Sequence, residues 1–178
     1  MATEIDVTAQ IDGLAASLET FAVLHSRLGE RLFEAVPSVS GWSCGQHLYH
    51  VALATGLALD NVVRLVQGRS PMIVHEGGPN ELAVRVLTEG GYPRGESEAP
   101  RMVRPGDEVD PAFLVDEMQL NRDGLTEVRK VADRIPGATG RIRHPQLGEL
   151  LATEWLRFVN LHASHHLAIL RDVESALA

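Results

Sequence analysis

The chain has 178 residues, 44% of them hydrophobic, and a formal net charge of −8. That length and composition are those of one globular domain with a single core, and they exclude a disordered chain. The acidic balance excludes a nucleic-acid surface, which needs a basic stripe absent here, and no apolar run reaches the ~18 residues of a membrane-spanning helix.

The opening MATEIDVTAQ carries two acids and no basic segment before an apolar one, so it is not read as a secretory signal. A first helix is expected from about Glu4 to Val36, with Thr3 as N-cap and Asp6 completing a capping box. Val7, Ile11, Leu14, Leu18, Phe21, His25, Leu28 and Leu32 alternate steps of four and three, the spacing of a bundle seam, and Pro37 ends it. The second helix begins at the Ser43/Gln46 capping box and runs to a C-cap at Gly68. One face carries His47, His50, Ala54, Leu57, Asn61 and Leu65. Cys44, in its first turn, is the only cysteine, so no intrachain disulfide can form and a cytoplasmic location is expected. The helix dipole can lower a thiol pKa there, although a small packing residue is the plainer reading.

From Arg69 to Asp110 the periodicity breaks on frequent Gly and Pro, with a short helix expected at Asn80 to Glu89. So long a connection suits a crossover between bundle helices or a lid over a site. The third helix starts with Asp110 as N-cap and Pro111 at the first position. Its seam is Leu114, Met118, Asn121, Leu125, Val128, Ala132 and Ile135, and Pro136-Gly137 closes it. A loop through GATGRIRHPQLGE leads to the fourth helix, about Leu150 to Ala176, with the seam Trp155, Val159, His162, His166, Ile169 and Val173. Strand signals are weak and no repeat occurs. The expected fold is therefore all-α: one four-helix-bundle domain with a long crossover between helices 2 and 3.

Two histidines, His162 and His166, occupy that last seam one turn apart on one face. An apolar seam would otherwise hold Leu or Ile, and leaving a buried imidazole unpartnered costs about 1–3 kcal/mol. A divalent metal ion would satisfy both rings. Helix 2 supplies a third imidazole from His50 or His47, and three protein ligands leave a position open for water or substrate. His25 reads as a core histidine, a neighbour of the ligands or a pocket residue. His165, beside the seam, reads as a neighbour of the ligands or as surface. His75 and His144 fall in loops and are expected to be solvated.

Trp42-Ser43, Gln46 and His50 resemble the W-[ST]-x-x-[QE]-x-x-x-H opening of the DinB/YfiT-like superfamily. His144-Pro145-Gln146-Leu147-Gly148-Glu149, then Glu154-Trp155, then His162-Ala163-Ser164-His165-His166-Leu167, are similar to its H-P-x-[LF]-G…W…H-x-x-x-H signature. The resemblance implies a four-helix bundle with a long connection after helix 2. It also implies a metal site on His50, His162 and His166, holding nickel, zinc or iron, with His47 as a neighbour and not a ligand. Members with known activity include thiol-dependent S-transferases and isomerases that use bacillithiol, mycothiol or glutathione. Many others are named only as metal-dependent hydrolases, so fold and metal transfer better than chemistry does.

Two chemistries fit an open three-histidine site acting on a small molecule: attack by a thiol cofactor held as thiolate, or hydrolysis by activated water. The sequence offers no obvious general base. Glu149 and Glu154 fall at a helix start, where acids are favourable anyway, and Asp60 lies nearly three turns past His50. Asn121, polar on an apolar seam, reads either as a pocket residue or as a core polar contact. Arg94, Arg101 and Arg104 read as a solvated loop or as a clamp for a ligand carboxylate. No Ser-His-Asp arrangement is readable. The alternative is a non-catalytic metal- or ligand-binding module of the stress response, which predicts a fourth protein ligand and no pocket. A homodimer through an exposed helix face is compatible with the pattern.

Overall fold

The computed structural model describes residues 5–92, 94–95 and 98–178. Within them the chain forms helices α1 (Val7–Leu28), α2 (Cys44–Gln67), α3 (Glu81–Glu89), α4 (Pro111–Lys130) and α5 (Ala152–Leu177), with a two-stranded hairpin, β1 (Ile142–His144) and β2 (Gly148–Leu150), before α5. The four long helices make the bundle: α1 and α2 each pack on both α4 and α5. Leu14, Phe21 and Leu24 of α1 meet Leu48 and Leu59 of α2, Leu114 of α4 and Leu156 of α5 in one fully buried core. No helix of the described residues is long and apolar enough to cross a membrane.

Helix boundaries follow the local chemistry, with corrections. Helix α1 begins at Val7 because Asp6 is itself the N-cap, its Oδ1 accepting the Ala9 N–H at 3.0 Å. The expected cap, Thr3, lies outside the described residues. The helix stops at Leu28, not Val36: Gly29 turns to φ +52° and its N–H caps the His25 carbonyl. A 3₁₀ turn over Gly29–Phe33 then carries Leu32 into the core. Likewise α4 starts as expected, with Asp110 Oδ1 accepting from Ala112 N at 2.9 Å, but ends at Lys130. A 3₁₀ stretch, Ala132–Gly137, brings Ile135 inward.

The largest correction concerns the segment read as a plain loop before α5. It holds the β1–β2 hairpin, paired Ile142 with Leu150, Arg143 with Glu149 and His144 with Gly148. Strands of three residues are too short to display a period of two. Leu150 therefore belongs to β2, and α5 begins at Ala152. The crossover is stitched to this hairpin by backbone bonds: Val74 and Arg141 exchange two, at 2.9 and 2.8 Å, Asn80 N–H donates to Leu147 O at 2.9 Å, and Glu149 N–H to Gly78 O at 3.1 Å. Glu154 Oε2 accepts from Leu151 N–H at 2.8 Å and from Arg141 at 3.1 Å, joining the start of α5 to the same region. Trp155 Nε1–H donates to Ile142 O at 3.2 Å.

Gly148 is where crossover and hairpin come closest. Its φ is +84°, and a Cβ there would lie 2.5 Å from the Gly78 carbonyl oxygen. Neither the backbone conformation nor the space admits a side chain. Gly148→Ala is therefore expected to lower stability by about 1–3 kcal/mol. A thermal melt measures it; an unchanged midpoint would mean that the crossover does not need this contact.

Candidate metal centre

The centre starts at the first turn of α2. Ser43 Oγ accepts from Gln46 N at 3.3 Å, and Gln46 Oε1 accepts from Ser43 N at 3.0 Å, a complete capping box. The same Gln46 amide donates from Nε2 to Gly106 O at 2.8 Å, so the helix start and the crossover are fixed together. His47 and His50 then project within the first two turns. From α5, His162 and His166 project one turn apart on one face.

The structure brings His50, His162 and His166 into one buried group. Ring centroids lie 5.0 Å apart for His50 and His162, 4.8 Å for His50 and His166, and 4.6 Å for His162 and His166. Each can offer one nitrogen such that all three lie within 4.8 Å of one another. His50 Nδ1–H donates to the Val103 carbonyl of the crossover at 2.9 Å, which leaves the Nε2 lone pair free. That Nε2 sits 3.0 Å from His162 Nε2. An ion with bonds of ~2.1 Å holds neighbouring imidazole nitrogens about 3.0–3.4 Å apart, so this spacing fits one.

His47 stands behind His166. Their Nδ1 atoms are 3.0 Å apart, and His47 Nε2 is 2.8 Å from Ser40 Oγ. With His166 Nδ1–H donating to His47 and His47 Nε2–H donating to Ser40, the His166 Nε2 lone pair is kept for an ion. That is the usual outer support of a metal-bound histidine. Trp42 packs against both His47 and His50 with centroids 5.3 Å away.

Burial keeps these rings neutral, as ligands must be. Desolvation, and then the neighbouring histidines, push His162 and His166 well below the ordinary imidazole value; desolvation also lowers His50 and takes His47 to about 4. His162 Nδ1 is buried with no hydrogen-bond partner among the described residues. The ring's Nε2, which faces His50, is the nitrogen left for an ion, and the ring proton then sits on Nδ1. Donor set, spacing and neutrality thus fit a divalent ion that prefers imidazole, the nickel, zinc and iron group included.

A cleft of about 350 Å³ opens onto the three rings. Both tryptophans of the chain, Trp42 and Trp155, line it with Tyr92 and Phe158, and the crossover contributes Pro100, Met102 and Val103. Phe158 stacks on His162 at 5.4 Å, and Tyr92 meets it edge-on at 5.9 Å. His165 also lines the cleft, half-buried and edge-on to His166 at 5.1 Å.

Other predicted residues lie elsewhere. Asn121 is not in the cleft: its Nδ2 donates to Ala52 O at 3.0 Å, a core contact between α4 and α2 that the small Gly56 leaves room for. His25 is half-buried on α1 and does not line the cleft either. Arg94 and Arg104 pair with Asp172 and Glu98, and Asp60, at the edge of the cleft, pairs with Arg64. Cys44 is fully buried and its thiol is pushed up to about 11, chiefly by desolvation, so it is a packing residue. His75 is exposed, but His144 is not solvated. It is buried between Trp155 and Phe158, with ring centroids at 5.2 and 4.6 Å, and it lines the cleft.

Phe158, Tyr92, Trp155 and Val103 were not singled out from the sequence as site residues. Phe158 stands one turn before His162 on the same face, and aromatics make up only 4% of the chain. Both signals were available. Nothing local marks the Val103 carbonyl.

Replacing His162 or His166 with Ala should abolish stoichiometric metal binding. Replacing His47 should leave the metal bound but about 10- to 100-fold more weakly, because only the outer support is lost. Elemental analysis and a competitive chelator titration measure both; loss of metal in His47→Ala with retention in His50→Ala would move the site one turn. Acid should also destabilise the metal-free protein. His47 and His144 are both lowered from 6.5 to about 4, so the unfolded chain binds more protons as pH falls. Their contribution is complete above about pH 6.5 and is lost progressively towards pH 4. Melting midpoints that stay level from pH 7 to 4.5 would contradict this.

No curated protein and no solved structure matches the chain. A family model described as the DinB superfamily matches residues 14–170, from α1 through most of α5. With that coverage, and with its all-helical bundle and buried three-histidine group, the chain belongs to the DinB superfamily.

Proposed function

We propose that this protein is a metal-dependent enzyme that uses His50, His162 and His166 to hold one divalent ion and acts on a small molecule, most simply as a thiol-dependent S-transferase. The observation that carries the reading is the cleft: the three rings face an opening of about 350 Å³, and no fourth His, Cys, Asp or Glu joins their group among the described residues. A closed structural site would want that fourth ligand and no access. A divalent ion at such a site supplies the acidity that lets a thiol coordinate as thiolate or lets a water lose its proton near neutral pH.

The residues around the rings favour the thiol. Hydrolysis asks for a positioned base, and among the described residues the acids that line the cleft, Asp60 and Glu98, are each engaged by an arginine. His144 cannot substitute while its Nδ1 accepts the Gln146 N–H. A coordinating thiol needs no base from the protein. Trp42, Tyr92, Trp155 and Phe158 give the cleft largely aromatic walls suited to an apolar electrophile and to excluding water.

The test is the conjugation of chlorodinitrobenzene with bacillithiol, mycothiol or glutathione, by protein loaded with nickel, zinc or iron. At least a tenfold acceleration with one thiol, lost with a chelator and in His162→Ala, is expected. Metal-dependent cleavage of p-nitrophenyl acetate without any thiol effect would favour the hydrolase reading. Metal bound with neither activity would favour the non-catalytic binding module.

A further inference from the structure

His144 has a single way to use its ring. Its Nδ1 lies 3.1 Å from the backbone nitrogen of Gln146, and a backbone N–H can only donate. Nδ1 must therefore hold a lone pair, and in the neutral ring the proton is on Nε2. Trp155 and Phe158 hold the ring from two sides, with centroids 5.2 and 4.6 Å away, and 92% of the residue's surface is covered, its exposure being 8%. Phe158 in turn stacks on His162. Nε2 makes no hydrogen bond to the described residues, yet the residue lines the cleft that opens onto the three histidines. The result is a fixed, uncharged N–H donor in an aromatic wall with no acceptor among the described residues.

Beside it in the hairpin, Arg143 is exposed and also lines the cleft, whereas the other polar side chains nearest the ring, Gln146 and His165, are engaged. The Gln146 amide donates to Glu98 O at 2.6 Å, and His165 bonds the Tyr92 backbone. We infer that His144 Nε2–H is a substrate-recognition donor: it receives a carbonyl or carboxylate oxygen of a small molecule whose other end reaches the three-histidine group. The ligand class is thus a short molecule with a metal-binding atom, a thiol in the reading above, and an oxygen acceptor a few bonds away. This inference rests on that reading for the metal-binding end, but the state of the His144 ring does not.

Two measurements test it. Long-range ¹H–¹⁵N correlation of the imidazoles, on the full chain without added metal, is expected to show His144 as the Nε2–H tautomer. An Nδ1–H ring would overturn the inference. Second, the cobalt-loaded protein is titrated with 3-mercaptopropionate and with 1-propanethiol, following the sulfur-to-cobalt charge-transfer band. His144→Phe, which keeps an aromatic ring in the wall, should weaken 3-mercaptopropionate about tenfold, the order expected for a hydrogen bond to a charged acceptor. It should leave 1-propanethiol within about twofold, and His144→Gln, which restores a donor, should recover most of the loss. Equal effects on both thiols, or none, would overturn the inference. No charge-transfer band with either thiol in the parent chain would remove the thiol reading, and this inference with it.

Discussion

The structure depends on a contact that an apolar bundle would ordinarily avoid, the meeting of α2 and α5 through imidazoles. His50, His162 and His166 occupy core positions between two helices that are otherwise joined by Leu, Val and Ala side chains. Each ring must be neutral, oriented and partnered, because a polar nitrogen in that environment is costly when left alone. Ser40 and His47 serve His166, the Val103 carbonyl serves His50, and His162 Nδ1 is left without a protein partner. Two of the three rings are thus held from behind, and His50 Nε2 and His162 Nε2 meet where the rings converge. A cation that takes lone pairs from all three relieves that contact without burying a charged side chain.

The irregular half of the chain follows from this requirement. A short turn could join neighbouring helices, but it could not bring a backbone carbonyl to His50 and also wall a cleft. The crossover does both. It is held at one end by Gln46, whose amide caps α2 and reaches Gly106, and at the other by the hairpin, whose Gly148 lets the crossover backbone approach closely. The hairpin also delivers His144 to the cleft wall, directly ahead of the aromatic residues of α5. Apolar side chains such as Ala83, Ile142, Leu147 and Leu150 bury these segments against the core, and the hydrogen bonds among them fix their position.

Charge has been kept at the edge. The protein is acidic overall, yet the acids lining the cleft are tied to arginines, and the groups nearest the three rings are neutral or aromatic. An aromatic wall lowers the local dielectric, which strengthens any interaction with a bound cation and disfavours stray water. Among the described residues, no carboxylate that lines the cleft is without an arginine partner.

Much of this was legible in the sequence. The long helices followed from the spacing of apolar residues, because a 3.6-residue period imposes a burial pattern that needs no knowledge of the partner. Ser43 with Gln46, and Asp110 with Pro111, marked two helix starts because capping is chemistry within four residues. His162 and His166 could be placed on one face by the same arithmetic. What remained open was whatever involved two distant segments. The choice between His47 and His50 depended on the rotation of α2 against α5, and from the residues alone both stood on the inner face. Asn121 looked equally suited to the cleft or the core until α2 was set beside it, when the Ala52 carbonyl took its amide. His144 read as solvated because three-residue strands leave no periodic trace, and its burial is created by Trp155 and Phe158 from the next helix. Local periodicity and capping thus determined the helices and the candidate ligands, while the tertiary structure alone decided which nitrogens converge, because their partners lie on segments about 50 to 120 residues apart.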